Sequence, residues 1–196
     1  QLLANDINRA DVDIRDCEKH TALFYALHSI DATRLLVEFG ADVNARDIGG
    51  NIPLALATNG DTPDERLDLV RLLLDAGADA NGVSSSNANA LHTPCFQGSE
   101  QIVKLLIERG ANVNTYSNIW GTPLNAAAES VSVECMRLLL EAGADPHATC
   151  PEKGWTALHQ VAQGSNPRDA IQLLIDAGAH ANVADENGWT PMHALI

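Results

Sequence analysis

Basic residues are scarce in this sequence. Twelve Lys and Arg stand against 26 Asp and Glu in 196 residues, giving a formal charge of −14 and a pI near 4.6. Nucleic acid and anionic membranes both require a basic footprint to displace counterions, so unassisted binding to either is excluded. A partner with a basic patch is accommodated. No apolar run approaches the roughly 18 residues of a membrane span, and the opening QLLANDINRA lacks the basic and apolar regions of a secretory signal. The first residue is Gln rather than Met, which points to a processed or excised fragment.

Cysteine is sparse as well. Cys17, Cys95, Cys135 and Cys150 show no CxxC spacing and are too few for a secreted disulfide scaffold. They read as reduced thiols of an intracellular protein, cytoplasmic and nuclear being indistinguishable. Catalytic signatures are missing: there is no GxSxG, no glycine-rich phosphate loop and no HExxH. Cys150 has His147 and His159 nearby in sequence, but a Cys and a His without a local signature establish little. No enzyme and no cofactor is expected.

With 45% hydrophobic and 19% charged residues, the chain reads as a folded domain. Its main signal is an internal repeat. Glycines at 40, 77, 110, 143 and 178 open FGADVN-like segments spaced 33 to 37 residues apart. A second register, at Thr21, Ile52, Asn89, Thr122, Thr156 and Thr190, opens TALF, IPLA, NALH, TPLN, TALH and TPMH. Two registers in one phase define a unit of a short helix, a longer helix and an extended connector. Thr156 and Thr190 offer N-cap hydroxyls, and Pro53, Pro123 and Pro191 sit where a helix has no use for the missing N–H. The longer helix ends at the glycine, which tolerates the left-handed conformation.

Three, four and five residues before each glycine the chain is apolar, as in Leu138, Leu139 and Leu140, and eight before stand Ala32, Leu69, Ile102, Cys135 and Ala170. That stripe is too broad for a helix lying on water, so neighbours must cover it on both sides. Arg34, Arg71, Lys104, Arg137 and Gln172 precede Glu38, Asp75, Glu108, Glu141 and Asp176 by four residues on the wet face. Such pairs contribute a few tenths of a kcal/mol and read as a solvated face.

These motifs, Gly-x-Thr-Pro-Leu-His, then a Leu-Leu run, then Gly-Ala-Asp-Val-Asn, resemble the ankyrin repeat over nearly the whole chain. The resemblance implies an all-α solenoid of stacked helix-turn-helix repeats with β-hairpin fingers. The expected division is a partial unit 1–15, units at about 16–46, 47–83, 84–116, 117–149 and 150–184, and a partial unit 185–196. It further implies a concave surface of fingers and first helices, a protein-interaction function without catalysis, and motif histidines that hydrogen-bond the connector backbone. His92, His159 and His193 lie one per layer, and layers roughly 8 to 10 Å apart cannot bring them to one metal ion.

Several departures carry expectations. Arg9 replaces the glycine in LLANDINRADVD, so that helix end is unusual. NGDTPDER holds the extra residues of the second unit as a loop between its helices. Pro94 bends or shortens its first helix. The sequence stops at TPMHALI, which leaves an apolar face uncapped, so either more protein follows or order ends at Ile196.

Aromatic residues provide the candidate site. Trp155 and Trp189 precede the motif threonine, and Trp120 stands one residue earlier, in a finger with Tyr116 and Ile119. The matching places in earlier units hold His20, Asn51 and Ala88, so the architecture does not demand an aromatic there. Each indole either covers its neighbour's hairpin or anchors a partner. Phe96 extends the same surface, and Glu129, Glu152, Asp185 and Glu186 surround it. The expected partner is a protein or peptide with basic and apolar residues. The alternative is a structural or regulatory segment of a larger protein packing against its own neighbouring domain. The chain is expected as a monomer or as part of a longer one.

Overall fold

The computed structural model describes residues 11–59, 63–151 and 153–195. Five helix pairs follow in order: α1 (Ala22–Ala26) with α2 (Ile30–Glu38), α3 (Pro53–Ala57) with α4 (Pro63–Asp75), α5 (His92–Gln97) with α6 (Glu100–Glu108), α7 (Pro123–Glu129) with α8 (Val133–Glu141), and α9 (Ala157–Ala162) with α10 (Arg168–Asp176). A 3-10 helix, Pro191–Leu195, comes last. Among the described residues no helix is long and apolar enough to cross a membrane.

First helices pack on first helices and second on second, with α7 between α5 and α9, and α8 between α6 and α10. The broad apolar stripe explains the stacking: Leu139, Cys135 and Met136 of α8 are all fully buried. One continuous core runs from Leu23 to Ala179. Small residues let the first helices approach closely. Every residue of α7 from Pro123 to Ala128 is buried.

Gly40, Gly77, Gly110, Gly143 and Gly178 all have φ between 81° and 91°. The turn closes by a bond from the residue after each glycine back into the helix, as in Ala144 N–H to Leu139 C=O at 2.9 Å. The expected β-hairpin fingers do not form ladders among the described residues. Among the described residues they show only isolated bridges, Ser117 with Gly121 and Thr149 with Thr156. Each is closed by a backbone bond, such as Asp47 N–H to Asn51 C=O at 3.1 Å and Asp185 N–H to Trp189 C=O at 2.7 Å.

Asparagine side chains tie successive connectors together. Asn44 donates to Gly77 C=O at 3.0 Å and accepts from Asp79 N–H at 2.7 Å. Asn81 does the same to Gly110 and Asn112, and Asn114 to Gly143 and Asp145. Each clip satisfies backbone groups that the helix end leaves open.

Thr156 is the N-cap of α9 in a capping box with His159, and its hydroxyl lies 2.9 Å from His159 Nδ1. Three local expectations need correction. The insertion in the second unit is not all loop: residues from Pro63 belong to α4, which has 13 residues where α2, α6, α8 and α10 have nine. Pro94 does not shorten α5, which has six residues; the helix starts at His92, three places after Asn89, leaving Pro94 in the first turn where its missing N–H is not needed. Of the five i, i+4 pairs only Gln172 to Asp176 closes, at 2.8 Å. Arg137 turns back to Glu134 at 3.0 Å, and Asp75 reaches Arg109 of the next unit at 2.8 Å. Basic before acidic is the weaker helical orientation, so other partners win. The expectations about Arg9, the Gly60 to Thr62 stretch and Ile196 fall outside the described residues.

The glycine turns make a direct prediction. At Gly143, φ is +88° and an added Cβ would meet nothing within 4 Å, so only backbone strain opposes Ala. Gly143→Ala should lower stability by about 1–2 kcal/mol in urea denaturation, with native helical content retained. An unchanged midpoint would contradict the assignment of that turn.

Candidate functional site

The sequence places three tryptophans near the motif threonines, and the fold brings them together. Trp120 packs on the core, with the Phe96 ring 4.9 Å away and tilted by 55°. Trp155 is half-buried. Its indole N–H donates to Asp185 Oδ2 at 2.8 Å, and the Lys153 ammonium sits 4.0 Å above the ring centroid. Trp189 is exposed and leans on His193, ring centroids 5.8 Å apart.

Two adjoining clefts result. The larger, about 470 Å³, lies between the neighbouring fingers that carry Trp120 and Trp155. Ile119, Trp120 and Trp155 line it with Glu129, Lys153 and Gln160. The smaller, about 180 Å³, lies between Trp155 and Trp189 and includes Asp185. Gln163 lines both. Tyr116 is exposed but reaches neither cleft, and its carbonyl accepts from Asn87 at 2.6 Å. Glu152 lies outside the described residues.

Lys153, Gln160 and Gln163 escaped the sequence reading. No motif marks them, because they become cleft walls only when two units meet. Lost hydration pushes the Asp185 carboxyl up, and hydrogen bonds from Trp155, Trp189 and Asn187 more than offset it, leaving it below the usual carboxylate range. The clefts therefore hold fixed negative charge beside aromatic faces.

The motif histidines serve the scaffold. His159 Nδ1 accepts from Thr156 N–H at 3.2 Å, which puts the ring proton on Nε2, facing Trp189 C=O at 3.2 Å. His92 bridges the same two places, its Nδ1 lying 3.1 Å from Asn89 N and 2.9 Å from Asn89 Oδ1 and its Nε2 3.2 Å from the Gly121 carbonyl oxygen. Asn125 substitutes for the ring: Oδ1 accepts from Thr122 N–H and Nδ2 donates to Ala148 C=O. Both nitrogens of His159 are thus engaged, leaving Cys150 without it as a base. Cys95 and Cys135 are buried, and burial pushes both thiols up.

A family model described as "Ankyrin repeats (3 copies)" matches at residues 1–83, 62–150 and 124–196. The chain belongs to the ankyrin repeat family. The crystal structure of the ankyrin repeat domain of Bcl-3 superposes with a TM-score of 0.80 at 28% identity, covering 98% of this chain and 86% of that one. An ankyrin repeat domain from Acinetobacter baumannii gives 0.79 at 32% identity, over 92% and 93%. The B-cell lymphoma 3 protein homolog of Mus musculus is 37% identical over 91 residues, which is 45% of this ankyrin chain and 19% of that protein. Protein phosphatase 1 regulatory subunit 12A of Rattus norvegicus is 46% identical over 43 residues, 22% of this chain and 4% of that protein. The chain spans about a fifth or less of these curated relatives.

Burial of His92 makes stability depend on pH. It is 1% exposed, and desolvation lowers its pKa below the ordinary 6.5 despite its backbone hydrogen bonds. Below 6.5 the unfolded chain takes up a proton that the folded chain resists, so this contribution is lost as pH falls through that window. His92→Asn, which copies Asn125, should flatten the dependence. Urea midpoints at about pH 7.5 and 5.5 test it; an equal drop in both proteins would refute the assignment.

Proposed function

We propose that this ankyrin repeat domain binds a protein or peptide on the face formed by its C-terminal fingers and first helices, without catalysis of its own. The observation that carries this reading is the pair of adjoining clefts lined by Trp120, Trp155 and Trp189. Large aromatic side chains at the mouth of a groove supply contact area at little entropy cost, and buried aromatics dominate interface energies. Glu129 and Asp185 beside the rings favour Lys or Arg flanked by apolar residues. Lys153 over Trp155 displays the same cation-on-indole contact within the chain. Ile119 and Phe96 extend the apolar surface, and Tyr116 stands on its margin. Relatives named as a regulatory subunit and as a RelA-associated inhibitor support an interaction role.

A second reading draws on the lengths of the relatives, of which this chain matches only a small part. There the same face would dock on a neighbouring domain of one longer chain.

Selection from a displayed peptide library distinguishes the aromatic face from the rest of the surface. Wild-type protein should enrich basic and apolar peptides. The Trp120→Ala, Trp155→Ala, Trp189→Ala triple variant, checked for unchanged helical circular dichroism, should bind them on the order of thirtyfold more weakly. Equal binding by the folded variant would sink the proposal.

A further inference from the structure

The asparagine clips stop at one junction. Four positions beyond the left-handed glycine stand Asn44, Asn81 and Asn114, each bonded to the next connector. The fourth place holds His147, and the residue it should meet is His180. Neither the Gly178 carbonyl nor the His180 N–H is clipped by a side chain among the described residues. Instead the two imidazoles lie against each other, centroids 4.5 Å apart and tilted by 39°.

We propose that His147 and His180 form a two-imidazole site for a divalent transition-metal ion, which clips the fourth unit to the fifth. Both side chains are exposed, and among the described residues no ring nitrogen of either is hydrogen-bonded. This contrasts with His92 and His159, whose nitrogens are committed to backbone. Neutral imidazole is a common ligand for zinc, copper and nickel. Nitrogens bound at about 2.0–2.1 Å to one ion stand about 3 Å apart, and a centroid separation of 4.5 Å sets the two rings within the span of one such ion.

First-helix histidines are held one layer apart, but these connector side chains lean towards each other across the layer spacing. No group of three or more candidate metal-ligating side chains gathers among the described residues, so water completes the coordination and the site is an open one. The formal charge of −14 draws cations towards the surface. By the order of divalent affinities, Cu²⁺ binds tighter than Zn²⁺ or Ni²⁺. The clipped junction is also the one that carries the cleft between Trp120 and Trp155.

Copper(II), zinc and nickel chlorides are the probes, added to the metal-free protein and followed by thermal unfolding and by imidazole NMR signals. His147→Asn restores the residue of the other units and is expected to fold; His180→Ala removes the second ligand. Wild type should melt higher with each ion, and Cu²⁺ should broaden the His147 and His180 signals first. Both variants should lose the melting shift. A shift that persists in the double variant, broadening centred on other histidines, or no shift with any of the three ions overturns the proposal.

Discussion

No unit of this chain can close its own core. A second helix with three consecutive apolar residues and a fourth one turn earlier presents more apolar surface than its own short first helix can cover. The remainder is covered by the units on either side. Hence Leu139 and Met136 are fully buried although α8 has only nine residues, and one core extends from Leu23 to Ala179. A fully buried leucine contributes roughly 1.5–3 kcal/mol, and here that contribution exists only while both neighbours are folded.

Stacking also buries polar backbone, and the motif residue three places after the threonine settles that debt. His92, Asn125 and His159 each accept from the start of their own helix and reach the next finger. Where the pair changes, the logic becomes visible. In the second unit both side chains are apolar, Ile52 and Ala55, and among the described residues no polar side-chain atom is stranded there. In the first, Thr21 keeps its hydroxyl while Phe24 replaces the acceptor, and Thr21 Oγ1 is the buried side-chain atom among the described residues that finds no partner. Replacing both members of a hydrogen bond is nearly neutral, whereas replacing one leaves a desolvated group.

What the sequence showed is what single residues impose on their own backbone. Glycine at a left-handed turn and proline at a first helical position announce helix ends whatever surrounds them. Choices among competing partners were not legible: Asp75 prefers Arg109, and the clip residues of GADVN act on connectors about 33 positions away in the chain. The candidate site divides similarly. The three Trp stood out because earlier units manage with His20, Asn51 and Ala88. Lys153, Gln160 and Gln163 did not, since their role depends on two units meeting across a cleft.

Those cleft walls bear on what selects a partner under the proposed reading. Trp155 is not a free anchor: Asp185 holds its N–H, and Lys153 already covers its face. An arriving cation must displace an equivalent one, so charge alone adds little net affinity there. It retains value in steering, because the chain is strongly acidic and Glu129 and Asp185 stand at the clefts. Discrimination then falls to the apolar groups beside the cation, which meet Ile119, Trp120 and Phe96; among the described residues the cation lies over Trp155 and not over Trp120. Trp120 packs on the core and holds the Phe96 ring against it at 4.9 Å, and a side chain already held in place loses less freedom on binding, which is what turns contact area into affinity.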